Sequence, residues 1–186
     1  MTELYDNDND ISWKSPLPGC HWPLPNGKYH PAGFGAKRPH NRHTGVDLFC
    51  DHNQPLAAVE DGFVVAIRDF SKHKTKKPWL NRTRVILIEG FTGVVAYCNV
   101  KERNGLKIGQ DVKAGEIIGN VIRINKKKKK KDTCMLHLEL YEPGTRKRVS
   151  WSYQYPKPPQ LLDPTPHLVG AIVEDQVVIR RRTVSF

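Results

Sequence analysis

From Thr44 to Tyr141 the chain is a series of short β-prone runs, most of them bounded by glycine, and this pattern points to an antiparallel sheet. GVDLFC (45–50) and GFVVAIRDF (62–70) are rich in β-branched and aromatic residues. RVILIEG (84–90) and GVVAYCNV (93–100) are parted by a Gly-containing turn between Gly90 and Gly93, which predicts a hairpin. GLKIGQDVKAGEIIGNVIRI (105–124) carries Gly at 105, 109, 115 and 119, which predicts tight turns between short strands. CMLHLELY (134–141) alternates as a strand, and VEDQVVIRRRTV (173–184) predicts a further one. Only fragments could be helical. The expected class is mainly β, an antiparallel sheet with long loops.

A length of 186 residues suits one well-buried domain with extended ends. Residues 1–31 are expected to form a polar arm and a Pro-rich irregular segment, 32–168 the domain, and 169–186 a C-terminal strand extension. RDFSKHKTKKPWLNR (68–82) is polar, basic and too long for a tight hairpin, so it is expected to be a loop. The run Lys126 to Lys131 falls between two strands and is expected to be another.

The formal charge is +11, but six of the positive charges lie in that one lysine run. The net charge therefore reports a local tract and not a basic face. It favours polyanionic surroundings without choosing among them. Little basic–aromatic interleaving occurs elsewhere, so nucleic acid is not the expected partner. The four cysteines, Cys20, Cys50, Cys98 and Cys134, contain no CxxC pair, and their spacing leaves pairing open. The start, MTELYDNDND, is acidic and has no signal-peptide pattern, so synthesis in a cytoplasm is expected, with release by lysis or carriage on a phage-like particle. No apolar run approaches the ~20 residues needed to span a bilayer.

His43 and Asp47 stand four apart with Gly45 between them. Imidazole nitrogen and carboxylate oxygen are zinc donors, and a tetrahedral site needs at least one more from elsewhere. Read alone, the pair fits a surface histidine and a turn aspartate as well as it fits a metal. His137 is the candidate third donor. Alternation puts Met135, His137 and Glu139 on an accessible face of their strand and Leu136, Leu138 and Leu140 on the core face. A partly exposed strand histidine is the plain alternative. By alternation Cys98 and Cys134 are expected to point away from the site face, where they could pack together or pair, and the plain reading is small buried thiols.

An ordered series of motifs extends these observations. FGAKRPHNRHTGVDLFCDHNQPLAAVEDGFVVAI (34–67) resembles the opening of the LytM/lysostaphin-type zinc metallopeptidases: Phe34-Gly35, then His43-Thr44-Gly45-Val46-Asp47, then a Pro55 strand and Asp61-Gly62. VILIEGFTGVVAYCNV is similar to the family's hairpin ending in Y-x-H-L, GLKIGQDVKAGEIIGNV to its glycine-punctuated stretch, MLHLEL to H-L-H-F-E-L, and LLDPTPHL to its closing segment. The resemblance runs in order from about residue 32 to 168. It implies a LytM-like β fold of the duplicated-hybrid-motif type and one Zn²⁺ per chain on His43, Asp47 and His137. It further implies a substrate drawn from the glycine-rich or D-amino-acid peptides of bacterial peptidoglycan.

Two positions depart from the family pattern. The first histidine of H-x-H is Met135, and the histidine of Y-x-H-L is Asn99. A thioether carries no proton near neutral pH, and an amide hydrogen-bonds but is no base. Each lost acid/base group typically costs ~10²–10⁴-fold in rate. His40, His52 or His73 are the groups that could substitute from a loop, as could Glu139, although its position argues against it because the family pattern H-L-H-F-E-L carries that glutamate beside its histidines. The expectations are therefore a zinc peptidase with impaired hydrolysis or a non-catalytic pseudopeptidase that binds or regulates, with another protein as partner in the second case. Lys126, Lys127 and Lys128 are candidates for holding an anionic cell-wall polymer beside the cleft.

Overall fold

The computed structural model describes residues 13–20, 23–25, 30–70, 80–125 and 134–171. The expected strand at 173–184, the lysine run and His73 lie outside these residues, as do residues 1–12 of the expected polar arm.

Nine strands occur among the described residues: β1 (Val46–Phe49), β2 (Pro55–Ala57), β3 (Gly62–Asp69), β4 (Arg84–Gly90), β5 (Val94–Glu102), β6 (Asp111–Val112), β7 (Ile117–Val121), β8 (Met135–Tyr141) and β9 (Leu161–Leu162). They form one sheet in the order β1-β8-β5-β4-β3-β6, with β7 pairing β5 and β2, and β9 pairing β8. Every pairing is antiparallel. The β4–β5 hairpin turns where the glycines predict it, with Gly90 N–H donating to Gly93 O at 2.9 Å.

Alternation along the central strands sorts side chains onto two covered faces. Ile86 and Ile88 of β4, Val95 and Tyr97 of β5, and Leu136, Leu138 and Leu140 of β8 enter the larger core. Val85 and Leu87, Val94, Ala96 and Cys98, and Tyr141 enter a smaller cluster on the opposite face, closed by Phe34, Val149 and Trp151. The metal-type side chains of β8 share this second face.

Three expectations are corrected here. Trp13 and Ser15, assigned to the polar arm, are buried, and Trp13 joins Leu17 in the larger core. An indole that finds a partner can be buried, and its Nε1–H donates to Thr92 Oγ1 at 3.1 Å. The strand extension expected from 169 begins instead as the end of a short helix over 165–171. Asp163 caps that helix by accepting from Thr165 N–H at 2.9 Å, and Pro164 supplies a residue whose fixed φ suits a first turn. Among the described residues no helix is long and apolar enough to cross a membrane.

The third correction concerns Cys98. Asn99 has φ 64°, and the β4–β5 register slips beside it, so Asn99 is the extra residue of a bulge. The bulge resets the alternation, returning Val100 to the larger core while Cys98 stays on the site face. Cys98 stands opposite His137 in register. Cys134 lies in the larger core, so the two thiols face different sides of the sheet and do not pack together.

Candidate metal centre

His43 is delivered by a small hairpin that precedes β1. Lys37 and Arg42 bridge across it, Arg38 N–H donates to Asn41 O at 2.9 Å, and His43 N–H donates to Ala36 O at 2.9 Å. Asp47 sits on β1 directly opposite His137 on β8. Gly45 lets β1 approach β8 this closely. A Cβ there would meet Leu138 O at 2.2 Å and Glu139 Cγ at 2.9 Å.

The three side chains converge through one atom each. His43 Nε2 lies 3.0 Å from His137 Nδ1 and 3.2 Å from Asp47 Oδ1, and His137 Nδ1 lies 2.7 Å from the same oxygen. Ligands held at ~2.0–2.1 Å around a tetrahedral zinc are roughly 3.3 Å apart, so this triangle is a slightly contracted face of such a tetrahedron. All three residues are buried. The donor set therefore fits a single divalent ion with its remaining position open toward the cleft.

The second nitrogen of each ring decides whether the first can bind. His43 Nδ1 donates to Gly33 O at 2.8 Å, leaving the Nε2 lone pair for the shared point. His137 Nε2 donates to Glu139 Oε1 at 2.9 Å, leaving Nδ1. Both tautomers are thus set by neighbours outside the triad, as metal-binding histidines require. The other Asp47 oxygen, Oδ2, accepts from Arg38 Nη2 at 2.7 Å.

Burial alone would raise the Asp47 pKa. The hydrogen bonds and charges of His137 and His43 outweigh it and hold the carboxyl well below the usual range. Burial would lower His137, but the Glu139 charge and the bond to Asp47 push it up to about 9. Glu139 is likewise kept ionised against burial by Arg148 and His137.

Glu139 corrects a further expectation. It shares the face of His137 as alternation predicts, yet that face is not accessible there, because Glu139 is 0% exposed. Arg148 grips it with two nitrogens, Nη2 reaching Oε1 at 2.5 Å and Nε bonding Oε2. Thr44 Oγ1 and the Tyr141 hydroxyl complete its shell. The Arg148 guanidinium in turn lies 4.4 Å over the Phe70 ring. Neither Arg38 nor Arg148 was singled out from the sequence. Arg38 lies four residues after Phe34 in the opening segment FGAKR, and no local pattern signalled Arg148.

A cleft of about 290 Å³ opens over the triad. Asn99 and Met135 both line it, together with Arg38, Arg42, Arg148 and Phe70. His40 and His52 are exposed and do not line it; His52 instead accepts from Arg123 N–H at 3.2 Å. Glu139 has both oxygens engaged and is not on the cleft wall. Among the described residues, the cleft wall holds no uncommitted group that titrates near neutral pH. Asn99 is 3% exposed, its Nδ2 donates to Met135 O at 3.5 Å, and its Oδ1 has no partner among the described residues.

The family model for Peptidase family M23 matches residues 41–149, more than half of the chain. The chain belongs to this family and has its metallopeptidase fold. Among solved structures, the antimicrobial peptidase lysostaphin from Staphylococcus simulans is similar at 20% identity and TM-score 0.51, covering 81% of this chain and 50% of that one. The lysostaphin catalytic domain alone is matched at 22% identity and TM-score 0.48, covering 84% of this chain and 98% of the other. The catalytic domain of the prophage-encoded M23 protein EnpA from Enterococcus faecalis follows at 21% identity and TM-score 0.47, with 77% and 98% covered. The chain spans about half the length of the longer relatives. No curated protein matches it. The fold is of the LytM/lysostaphin type, mostly antiparallel β.

Proposed function

We propose that this chain is a zinc-binding M23 peptidase domain, centred on residues 32–168, whose cleft takes peptides of bacterial peptidoglycan and hydrolyses them slowly. The observation that carries this reading is the buried triangle of His43 Nε2, Asp47 Oδ1 and His137 Nδ1, with both imidazole tautomers set from outside. Zinc held there supplies Lewis-acid polarisation of a carbonyl and activation of water at neutral pH. Arg38 and Glu139 orient the donors. Arg148 keeps Glu139 ionised, so that Glu139 holds His137 in place and does not exchange protons.

Proton handling is the weak part. Asn99 and Met135 occupy the wall where the family pattern has histidines, and the described wall offers no replacement. A non-catalytic binding or regulatory module is therefore the second reading, favoured by the same two residues. Delivery by lysis or on a phage-like particle, and contact with an anionic cell-wall polymer through Lys126, Lys127 and Lys128, remain parts of the proposal.

The test compares zinc-loaded protein with the Asn99→His/Met135→His variant on purified peptidoglycan and on a pentaglycine peptide. Asn99 adopts the left-handed region, which histidine tolerates better than most residues. The double variant is expected to cleave roughly 10²–10⁴-fold faster. Unmodified protein that already cleaves as fast defeats the slow-hydrolysis reading. Turnover in the unmodified protein that disappears in His43→Ala favours the enzyme over the pure binding module, and no turnover favours the module.

A further inference from the structure

Among the described residues, the cleft wall carries three guanidinium groups, Arg38, Arg42 and Arg148, and one carboxylate, Asp47. Two of these arginines are partly spent. Arg38 bonds Asp47 Oδ2, and Arg148 grips Glu139. Arg42 faces no carboxylate among the described residues. Its Nη1 donates to Gly35 O at 3.3 Å, and its guanidinium carbon stands 5.7 Å from the Trp151 ring centroid and 5.9 Å from that of Tyr153. Its backbone is also tied down, with its N–H donating to Trp151 O at 2.7 Å. Arg42 is therefore a pre-oriented fork with donors to spare, one residue from His43.

Charge points the same way. Among the described residues three arginines outnumber the two carboxylates they border, Asp47 and Glu139, and a divalent ion in the triad would raise the excess further. Among the described residues, the buried Nε of Arg38 has no hydrogen-bond partner, so the pairing of this guanidinium is incomplete. A planar fork of N–H donors matches a carboxylate by two parallel bonds. A neutral glycine peptide offers only amide carbonyls.

Resting on the metallopeptidase-domain reading above, we propose that Arg42, backed by Arg38 and Arg148, forms a carboxylate-binding subsite on the rim of the cleft. The peptide that the cleft selects then carries a free carboxylate beside the amide presented to the metal centre. Arg42 acts here as a specificity-determining residue.

The experiment titrates full-length protein with two probes, acetyl-D-alanyl-D-alanine and its C-terminal amide, by calorimetry. Zinc content is measured first, so that loss of the metal site is read separately from loss of the subsite. The carboxylate probe is expected to bind about tenfold tighter than the amide, and Arg42→Gln to remove that preference while zinc content stays the same. Arg42→Lys, which keeps the charge but loses the fork, is expected to retain only part of it. Equal binding of the two probes overturns the proposal. So does a preference that survives Arg42→Gln and vanishes without zinc, because the carboxylate is then bound by the metal. Inorganic phosphate competing at lower concentration than the carboxylate probe, with the same dependence on Arg42, overturns the assignment to a peptide carboxylate.

Discussion

His137 donates its Nε2–H to Glu139 at 2.9 Å, two residues further along the same strand. The pair shares the site face of β8, and Arg148 reaches Glu139 from beyond the strand's end. One fully buried carboxylate thus orients a candidate metal ligand and neutralises an arginine on the cleft wall.

Breaking that arrangement is expected to cost both stability and metal affinity. Glu139→Gln leaves Arg148 without its counter-charge, and removing one partner of a buried ion pair costs about 3–5 kcal/mol. Zinc affinity is expected to fall by about 10–100-fold, the usual effect of losing a neighbour that orients a ligand. Chemical denaturation and competition with a chelating dye measure the two effects. Unchanged zinc affinity would contradict the orienting role.

Metal content tests the triad directly. The purified protein is expected to hold one equivalent of zinc by elemental analysis, and His43→Ala to hold none. At zinc a thousandfold above its dissociation constant, binding adds about 4 kcal/mol to folding stability, so chelation should lower the thermal midpoint. A wild-type midpoint indifferent to chelator would count against a metal bound to the folded state.

Proton release is expected to accompany binding. In the metal-free protein His137 is held protonated up to about pH 9, mainly by Glu139 and Asp47 acting against burial. At pH 7.5 zinc must displace about one proton, so affinity should rise with pH and level off near pH 9. Calorimetry in buffers of different ionisation enthalpy counts that proton. The raised folded-state value also means that this group's contribution to metal-free stability is fully present below its ordinary pKa of 6.5 and is lost as pH rises toward about 9. A metal-free midpoint that climbs over this range would contradict it.

Gly45→Ala is expected to be severe although it adds one methyl group. The new Cβ would lie 2.2 Å from a backbone oxygen of β8, and backbone cannot swing aside as a side chain can. A loss of about 3 kcal/mol or more is expected, with weakened zinc binding because the glycine lies between His43 and Asp47. Denaturation midpoints read the first effect and metal content the second.

Much of this was legible in local patterns. Gly-bounded β-branched runs marked the strands and the β4–β5 hairpin. Alternation divided β8 correctly between its leucines and the His137 face, because the period of a strand is two whatever surrounds it. Motif order identified the family. The lysine run lies outside the described residues and stays an expectation from sequence.

Other features had no local signal. Alternation counted through Asn99 misplaced Cys98, since a bulge shows itself only in the pairing with β4. Glu139 looked exposed because its cover, Arg148, arrives from outside the strand. Trp13 looked like part of a polar arm because its core neighbours lie far along the chain. At the centre itself, the sequence by itself determined the donor types and the strand face that His137 occupies. Tertiary structure alone decided that His43 Nε2 and His137 Nδ1, 94 residues apart, stand 3.0 Å from each other with their other nitrogens already bonded. Strand pairing brings donors together, and only the groups packed behind them determine which lone pairs are left to share.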